Sequence, residues 1–251
     1  MKTTILVSKQ RSGTTFFDNT INGMCGFIDQ GGEPLSSKNF FKRHEAIHLI
    51  ERYDEKTSCE HTVKLSNDKE FCMRLSGQFF DDLCECSPRP MFNFQYDQLK
   101  FNPQYLMETQ ANVILLIRQN SWLRAISEYL SHNQPLGWVA HHKENLEKKL
   151  DVTIDIDSVE QRCARSNYFT ETFKRGLAGR ENYKIIYYED ICKKSYWTEK
   201  CIDELEHFMG VSFTNREYRC TWKKNRNQYN ITNKEEALNE KLIKKYYIDK
   251  I

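Results

Sequence analysis

The first 24 residues constrain the fold more than any other part of the chain. Residues 3–8 form an apolar run of strand length, and residues 14–24 carry apolar side chains at helical spacing. The turn between them contains Arg11 and Gly13. A strand, a tight turn and a helix in this order bring backbone N–H groups and the positive end of a helix dipole to one point. The pattern predicts an anion-binding turn, with a polar β–α turn that binds no ligand as the alternative.

Short β-rich runs and longer amphipathic runs alternate along the rest of the chain. Residues 112–118 are the clearest central strand, and residues 183–188 form another buried strand. This alternation predicts an α/β fold, with a central parallel β-sheet flanked by helices on both faces. We expect a single domain over residues 1–251, with a charged C-terminal surface helix over 234–251. Further helices are predicted over 78–84, 122–131, 158–177 and 198–209.

The first residues of two of these helices match capping patterns. Ser121 is a plausible N-cap for the helix that follows the central strand. Residues 158–161 form a capping-box pattern, which predicts that the long helix opens there. Gly210 follows the helix over 198–209 and is a good C-cap.

Composition narrows the class of protein. The formal net charge is only +2, so nucleic acid is not an expected partner. No apolar run approaches the roughly 18 residues that span a membrane, and none suits a signal-peptide core. We therefore expect no transmembrane segment and a cytoplasmic location. The nine cysteines include no C-x-x-C pair, which favours reduced, packed thiols over a disulfide framework or a metal site.

The N-terminal turn differs from the phosphate loop of nucleotide triphosphatases. That loop reads G-x-x-x-x-G-K-S/T, with a lysine after its second glycine. In this chain Thr14 follows Gly13, and the first glycine of the pattern is missing. The sequence therefore disfavours ATP or GTP hydrolysis. A P-loop kinase acting on a small molecule is the alternative enzyme, and it predicts dependence on ATP and Mg²⁺.

Residues 5–15 resemble the 5′-phosphosulfate loop of sulfotransferases, which use 3′-phosphoadenosine 5′-phosphosulfate (PAPS) as donor. The similarity is closest to the bacterial-type carbohydrate sulfotransferases, whose loop reads R-S-G-S/T-S/T. This resemblance implies a P-loop-type sulfotransferase fold, no required metal, and sulfuryl transfer to an acceptor hydroxyl on a carbohydrate or glycolipid. The product would be adenosine 3′,5′-bisphosphate. The donor-binding residues that the resemblance implies here are Arg11, Ser12, Gly13, Thr14 and Thr15.

A second segment is similar to the 3′-phosphate motif of the same family, an arginine at a strand end and a serine on the next helix. Arg118 and Ser127 take these positions. A dianionic phosphate suits a guanidinium fork and a hydroxyl donor. Arg124 lies on the same helix face as Ser127 and either assists or is a solvated surface charge. Lys223 and Lys224 resemble a late lysine-containing loop that closes over the nucleotide.

Transfer to a hydroxyl also needs a base, usually Glu or His. Glu33 is the first choice, because the bacterial-type family carries its assigned glutamate base in a similar acidic motif; an ordinary exposed loop residue is the alternative. His44 is a second candidate base, and His48 a contact to the acceptor. Arg74 ends a predicted strand where related enzymes often carry lysine, and it is a candidate contact to the sulfate or the acceptor. Arg11 would stabilise the charge on the leaving group.

The sequence leaves several questions open. The acceptor is a saccharide, a lipid-linked sugar or a small phenol or steroid, and the oligomeric state is not indicated. A nucleotide-binding module without turnover is the alternative outside enzymes, and it would retain Arg11, Arg118 and Ser127. The segment Tyr187–Ile191 resembles the family's Y-E-D-L, with Glu189 and Asp190 expected to cap a helix. Aromatic residues suited either to a sugar face or to a core are Phe79, Phe80, Phe92, Phe94, Tyr96 and Trp138.

Overall fold

The computed structural model describes residues 3–27, 76–86, 89–96, 104–132, 150–220 and 229–250. The strands are β1 (Thr4–Ser8), β2 (Met91–Gln95), β3 (Asn112–Ile117), β4 (Leu150–Val152), β5 (Tyr183–Tyr187) and β6 (Tyr229–Ile231). The helices are α1 (Thr14–Met24), α2 (Gly77–Cys86), α3 (Gln104–Glu108), α4 (Ser121–His132), α5 (Ile156–Leu177), α6 (Tyr188–Ile191), α7 (Glu199–Met209), α8 (Lys234–Ala237) and α9 (Glu240–Lys245). A 3₁₀ turn at Lys194–Trp197 precedes α7.

The chain divides into two compact units. The first comprises Met1–Ile117 with Glu171–Cys220, and the second comprises Arg118–Thr170 with Thr221–Ile251. Among the described residues of the first unit, four parallel strands form a sheet in the order β2-β1-β3-β5. The predicted α/β fold with a central parallel sheet is therefore confirmed.

Both faces of this sheet are covered by helices. Leu6 of β1 lies in one apolar cluster with Phe17 of α1 and Leu205 of α7. On the opposite face, the ring of Phe94 in β2 contacts Phe80 of α2, with 5.1 Å between the ring centroids. Burial on both faces explains why β1 and β3 read as continuous apolar runs rather than alternating ones.

The strand β2 was not among the predicted elements. Its sequence is Met-Phe-Asn-Phe-Gln, in which Asn93 interrupts the apolar run. Asn93 can lie in a buried strand because its Nδ2 donates a hydrogen bond to Asp18 Oδ2 of α1 at 3.2 Å. The buried amide thus has a partner 75 positions away. Some aromatic residues were suited either to a sugar face or to the core. Of these, the following five are buried in the core: Phe79, Phe80, Phe92, Phe94 and Tyr96.

Two helix starts differ from the capping predictions. Asn120 Oδ1, not Ser121, accepts the hydrogen bond from Leu123 N at the start of α4. The helix α5 begins at Ile156, and Asp155 Oδ1 accepts from Ser158 N, so the capping group precedes the predicted box. The predicted C-cap is confirmed, because Gly210 has φ 64° directly after α7.

In the second unit, the C-terminal part of the chain packs against α4 and the first turns of α5. Its strands β4 and β6 pair in parallel, and Trp122, Val159 and Ala237 share one apolar cluster. The single surface helix expected over 234–251 is two short helices. They are separated because Asn239 leaves helical geometry and its side chain accepts a hydrogen bond from Lys241 N at 2.9 Å, which caps α9.

After α7 the chain turns back, and one arginine of the returning segment pairs with acidic residues of that helix. Arg216 Nη1 lies 2.7 Å from Glu199 Oε2, and its Nη2 lies 2.8 Å from Asp203 Oδ1. It also pairs with Glu206. The hydrogen bonds that Arg216 donates to Glu206 and Glu199 raise its pKa, so the guanidinium stays protonated. The contact joins Arg216 to α7, where Phe213 N also donates to Glu206 Oε1.

The cysteines of the described residues are free thiols. Burial raises the pKa of Cys25 and of Cys84 to about 12, so both are protonated at neutral pH. Within the described ranges, no group of three or more metal-ligating side chains comes together. No helix there is both long and apolar enough to cross a membrane.

Candidate functional site

The turn between β1 and α1 has an unusual backbone. Arg11 has φ 66° and is the one non-glycine residue with positive φ in the described part of the chain. Gly13 has φ 86°, a conformation that glycine adopts readily. An L-residue such as arginine enters this region at a cost of about 1–2 kcal/mol. Strain of this kind collects at functional sites, which favours the ligand-binding interpretation of the turn over the inert one.

The helix that follows the turn presents its N-terminus without a competing charge. Gly13 is the N-cap and provides no side-chain hydrogen bond, and the first turn of α1 contains no acidic residue. The first helical hydrogen bond runs from Phe17 N to Gly13 O at 3.0 Å. The N–H groups of Thr14, Thr15 and Phe16 therefore have no acceptor within the helix. The positive end of the helix dipole favours an anion at this point.

The side chains of the turn differ in hydrogen bonding and in exposure. Ser8 Oγ and Thr14 Oγ1 are 2.5 Å apart and share a hydrogen bond that closes the turn. Ser12 is buried, with 1% of its surface exposed. Arg11 is half-buried and Thr15 is exposed. The structure thus brings the five predicted donor-binding residues of the turn together at the carboxyl end of β1.

Sequence reasoning gave no role to Tyr188, which lies against this turn. A Cβ atom added to Gly13 would overlap the Cδ2 and Cε2 atoms of the Tyr188 ring. Tyr188 begins α6, directly after β5. The sequence signal for Tyr188 was the Y-E-D-like segment to which it belongs. The acidic residues of that segment lie in the first turn of α6, and Asp190 Oδ1 is 4.0 Å from Lys193 Nζ. The ring leaves space at position 13 for glycine alone.

The second unit carries the two predicted 3′-phosphate residues. Arg118 directly follows β3, and Ser127 lies on α4; both are half-buried. Arg124 is not the solvated charge that one interpretation expected, because only 1% of its surface is exposed. Its Nη1 donates to Glu128 Oε2 at 2.6 Å, within the same helix. Arg124 therefore forms a buried ion pair within α4.

The remaining predicted site residues lie outside the described residues. The segment that leads to the two lysines is described as far as Cys220, whose N–H donates to Thr20 Oγ1 of α1 at 3.3 Å. The residues that lie outside are Glu33, His44, His48, Arg74, Lys223 and Lys224, together with the aromatic Trp138.

Comparison with known proteins identifies the family. A family model described as a sulfotransferase domain matches residues 2–247. The chain therefore belongs to the sulfotransferase family, and its enzymatic class is that of a transferase. No curated protein sequence matches the chain.

Two solved structures are similar to the chain at low sequence identity. The sulfotransferase domain from the curacin biosynthetic pathway is 18% identical, with 86% of this chain and 76% of that chain covered and a TM-score of 0.45. A sulfotransferase from Alicyclobacillus acidocaldarius is 16% identical, with 88% of this chain and 86% of that chain covered and a TM-score of 0.40.

Proposed function

We propose that the protein transfers a sulfuryl group from PAPS to a hydroxyl of a carbohydrate or glycolipid in the cytoplasm. The observation that supports the donor most strongly is the turn at residues 8–15. Its left-handed Arg11 and Gly13 lead into a helix N-terminus without acidic residues, which suits a phosphosulfate group. The acceptor class rests on the resemblance of residues 11–15 to the bacterial-type carbohydrate sulfotransferases.

Each end of the donor has its own residues in this proposal. Arg11 and the N–H groups that follow Gly13 bind the phosphosulfate end, while Arg118 and Ser127 bind the 3′-phosphate. Lys223 and Lys224 close over the nucleotide. The bound donor supplies an activated sulfuryl group, with adenosine 3′,5′-bisphosphate as its leaving group.

Side chains of the protein accept the proton of the acceptor and stabilise the charge that develops on the leaving group. Glu33 accepts the proton of the acceptor hydroxyl as that oxygen attacks sulfur in line with the leaving group. Arg11 stabilises the negative charge that forms on the leaving oxygen. Arg74 and His48 contact the acceptor, and His44 is the second candidate base. This chemistry requires no metal ion.

The donor assignment is tested by calorimetric titration with adenosine 3′,5′-bisphosphate, AMP and ATP–Mg²⁺. We expect clear preference for the bisphosphate, and Arg118→Ala should weaken its binding at least tenfold, or about 1.4 kcal/mol. The matched control is Arg175→Ala, because Arg175 is an exposed arginine of α5 whose Nε donates to Glu171 O. Equal binding of AMP would refute the 3′-phosphate site, and preference for ATP–Mg²⁺ would favour a kinase.

The base is tested by turnover with labelled donor and a panel of sugar acceptors. Glu33→Gln should lower kcat by about 10²–10⁴-fold, the usual contribution of a general base, while the affinity for the bisphosphate stays unchanged. His44→Gln is the matched comparison, because it removes the other candidate base. A larger loss in the histidine variant would reassign the base, and an inactive wild-type protein that still binds the bisphosphate would indicate a module without turnover.

A further inference from the structure

The turn that follows Arg118 is held by residues from the C-terminal part of the chain. Ile248 N donates to Gln119 O at 2.9 Å, and Gln119 Nε2 donates back to Ile248 O at 3.0 Å. The neighbouring residues Asn120 and Tyr247 form an antiparallel bridge. Gln119 therefore engages the C-terminal segment with both its main chain and its side chain.

The next two residues of the turn are fixed by the same segment. Ser121 Oγ donates to Tyr246 O at 2.6 Å. Trp122 stacks on Tyr246, with ring centroids 5.6 Å apart and an interplanar angle of 17°. The indole Nε1 of Trp122 donates to Ala237 O at 2.6 Å. Four consecutive residues, 119–122, are thus held by partners more than 100 positions away.

These contacts are buried, which makes them sensitive to substitution. Gln119 is 5% exposed and Ile248 is 7% exposed. Removing one partner of a buried hydrogen bond leaves the other without its bond and costs about 1–3 kcal/mol. The bond between the Gln119 amide and Ile248 therefore restrains the turn strongly at its first residue, which is the residue that directly follows Arg118.

We propose that Gln119 is a positioning residue for the 3′-phosphate contact of Arg118. This inference rests on the proposed function, because it requires Arg118 to bind that phosphate. A guanidinium binds a phosphate best through two parallel N–H···O bonds, which makes the contact depend on the orientation of the fork. The Gln119–Ile248 pair holds the main chain beside Arg118, and Ile248 is thereby part of the nucleotide site's support.

The test is the ratio of affinities for adenosine 3′,5′-bisphosphate and AMP, measured by calorimetry. Gln119→Leu removes the donor to Ile248 O at similar volume. We expect bisphosphate affinity to fall about fivefold, equivalent to about 1 kcal/mol, with AMP affinity unchanged. In an Arg118→Ala background, the same substitution should produce no further change in the ratio. A purely structural role would not show this dependence on Arg118.

The control in the same segment is Tyr246→Phe, which removes the hydroxyl that donates to Glu160 Oε1 and keeps the ring on Trp122. It should leave the ratio unchanged. Gln119→Met serves the same purpose as the leucine variant if circular dichroism shows that the latter is unfolded. An unchanged ratio in a folded Gln119 variant, while Arg118→Ala abolishes the wild-type preference, would overturn the positioning role alone. A wild-type protein without preference for the bisphosphate would overturn the proposed function and this inference together.

Discussion

At the scale of single residues, the turn between β1 and α1 depends on two backbone conformations that side chains resist. Arg11 adopts φ 66° although it carries a Cβ atom, and Gly13 adopts φ 86° beneath the ring of Tyr188. The first is a strain that the surrounding structure must offset. The second excludes any side chain, because the ring occupies the space where a Cβ atom would lie. Position 13 is therefore doubly restricted to glycine.

Gly13→Ala should lower the stability of the protein. The left-handed backbone costs alanine about 1 kcal/mol, and the overlap with Tyr188 adds about 1–3 kcal/mol of overpacking. Gly179→Ala is the matched control, since Gly179 has φ 79° and no heavy atom within 4 Å of the added Cβ. Urea unfolding measures both variants. Equal losses in the two would mean that the Tyr188 ring moves aside at no cost.

At the scale of the element, α4 contains a buried ion pair between Arg124 and Glu128. Arg124 and Glu128 lie one helical turn apart, and 5% or less of either residue is exposed. Arg162 Nη1 approaches the same carboxylate at 3.7 Å. A buried pair contributes little compared with apolar residues of the same volume, yet breaking it leaves one charge uncompensated. The pair therefore makes the helix sensitive to single substitutions.

Arg124→Met should destabilise the protein by about 3–5 kcal/mol, because it leaves the Glu128 carboxylate buried without its main partner. Replacing both members, as Arg124→Met with Glu128→Leu, should restore stability to within about 1 kcal/mol of wild type. Urea unfolding of the three proteins measures the effect. A single variant as stable as wild type would show that Arg162 or water can replace Arg124.

At the scale of the whole molecule, charged contacts tie the last helix of the described chain to α5. Lys245 Nζ lies 2.7 Å from Glu160 Oε1, and the Tyr246 hydroxyl donates to the same oxygen at 2.8 Å. The hydrogen bond from Lys245, and then that from Tyr246, lowers the pKa of Glu160. Folding therefore favours the ionised carboxylate, and its contribution depends on pH.

This dependence has a definite sign. Because the pKa of Glu160 is lower in the folded state, its contribution to stability is present above the ordinary carboxyl pKa of about 4.3 and is lost as the pH falls further. The difference in Tm between wild type and Glu160→Gln should be largest near neutral pH and vanish in acid. Glu240→Gln, at an exposed carboxylate 3.9 Å from Lys244 Nζ, should leave Tm unchanged. A difference for Glu160→Gln that grows in acid would contradict the assignment.

The elements that were predicted correctly are those whose signal is local. The bounds of α1 and the C-cap at Gly210 follow from side chains within one or two helical turns. The strand β2 was missed because Asn93 is compatible with a buried strand only through Asp18. Of the two interpretations of Arg124, burial excludes the solvated surface charge. Helical spacing alone could not decide this, because it does not show whether a neighbouring element covers the helix face. In the candidate site, the turn was predictable by pattern, but the contact of Tyr188 with Gly13 required the fold.

The ion pairs between Arg216 and α7 have a consequence for the order of folding. Glu199, Asp203 and Glu206 line one side of that helix, and like charges one turn apart disfavour an isolated helix by about 0.2–0.5 kcal/mol per pair. Arg216 neutralises this repulsion from only 10 to 17 positions away along the chain. A loop this short closes in well under a microsecond. We therefore expect α7 and its return segment to gain structure as one early local unit, which pulsed hydrogen exchange on wild type and Arg216→Gln would detect as protection lost early in the variant.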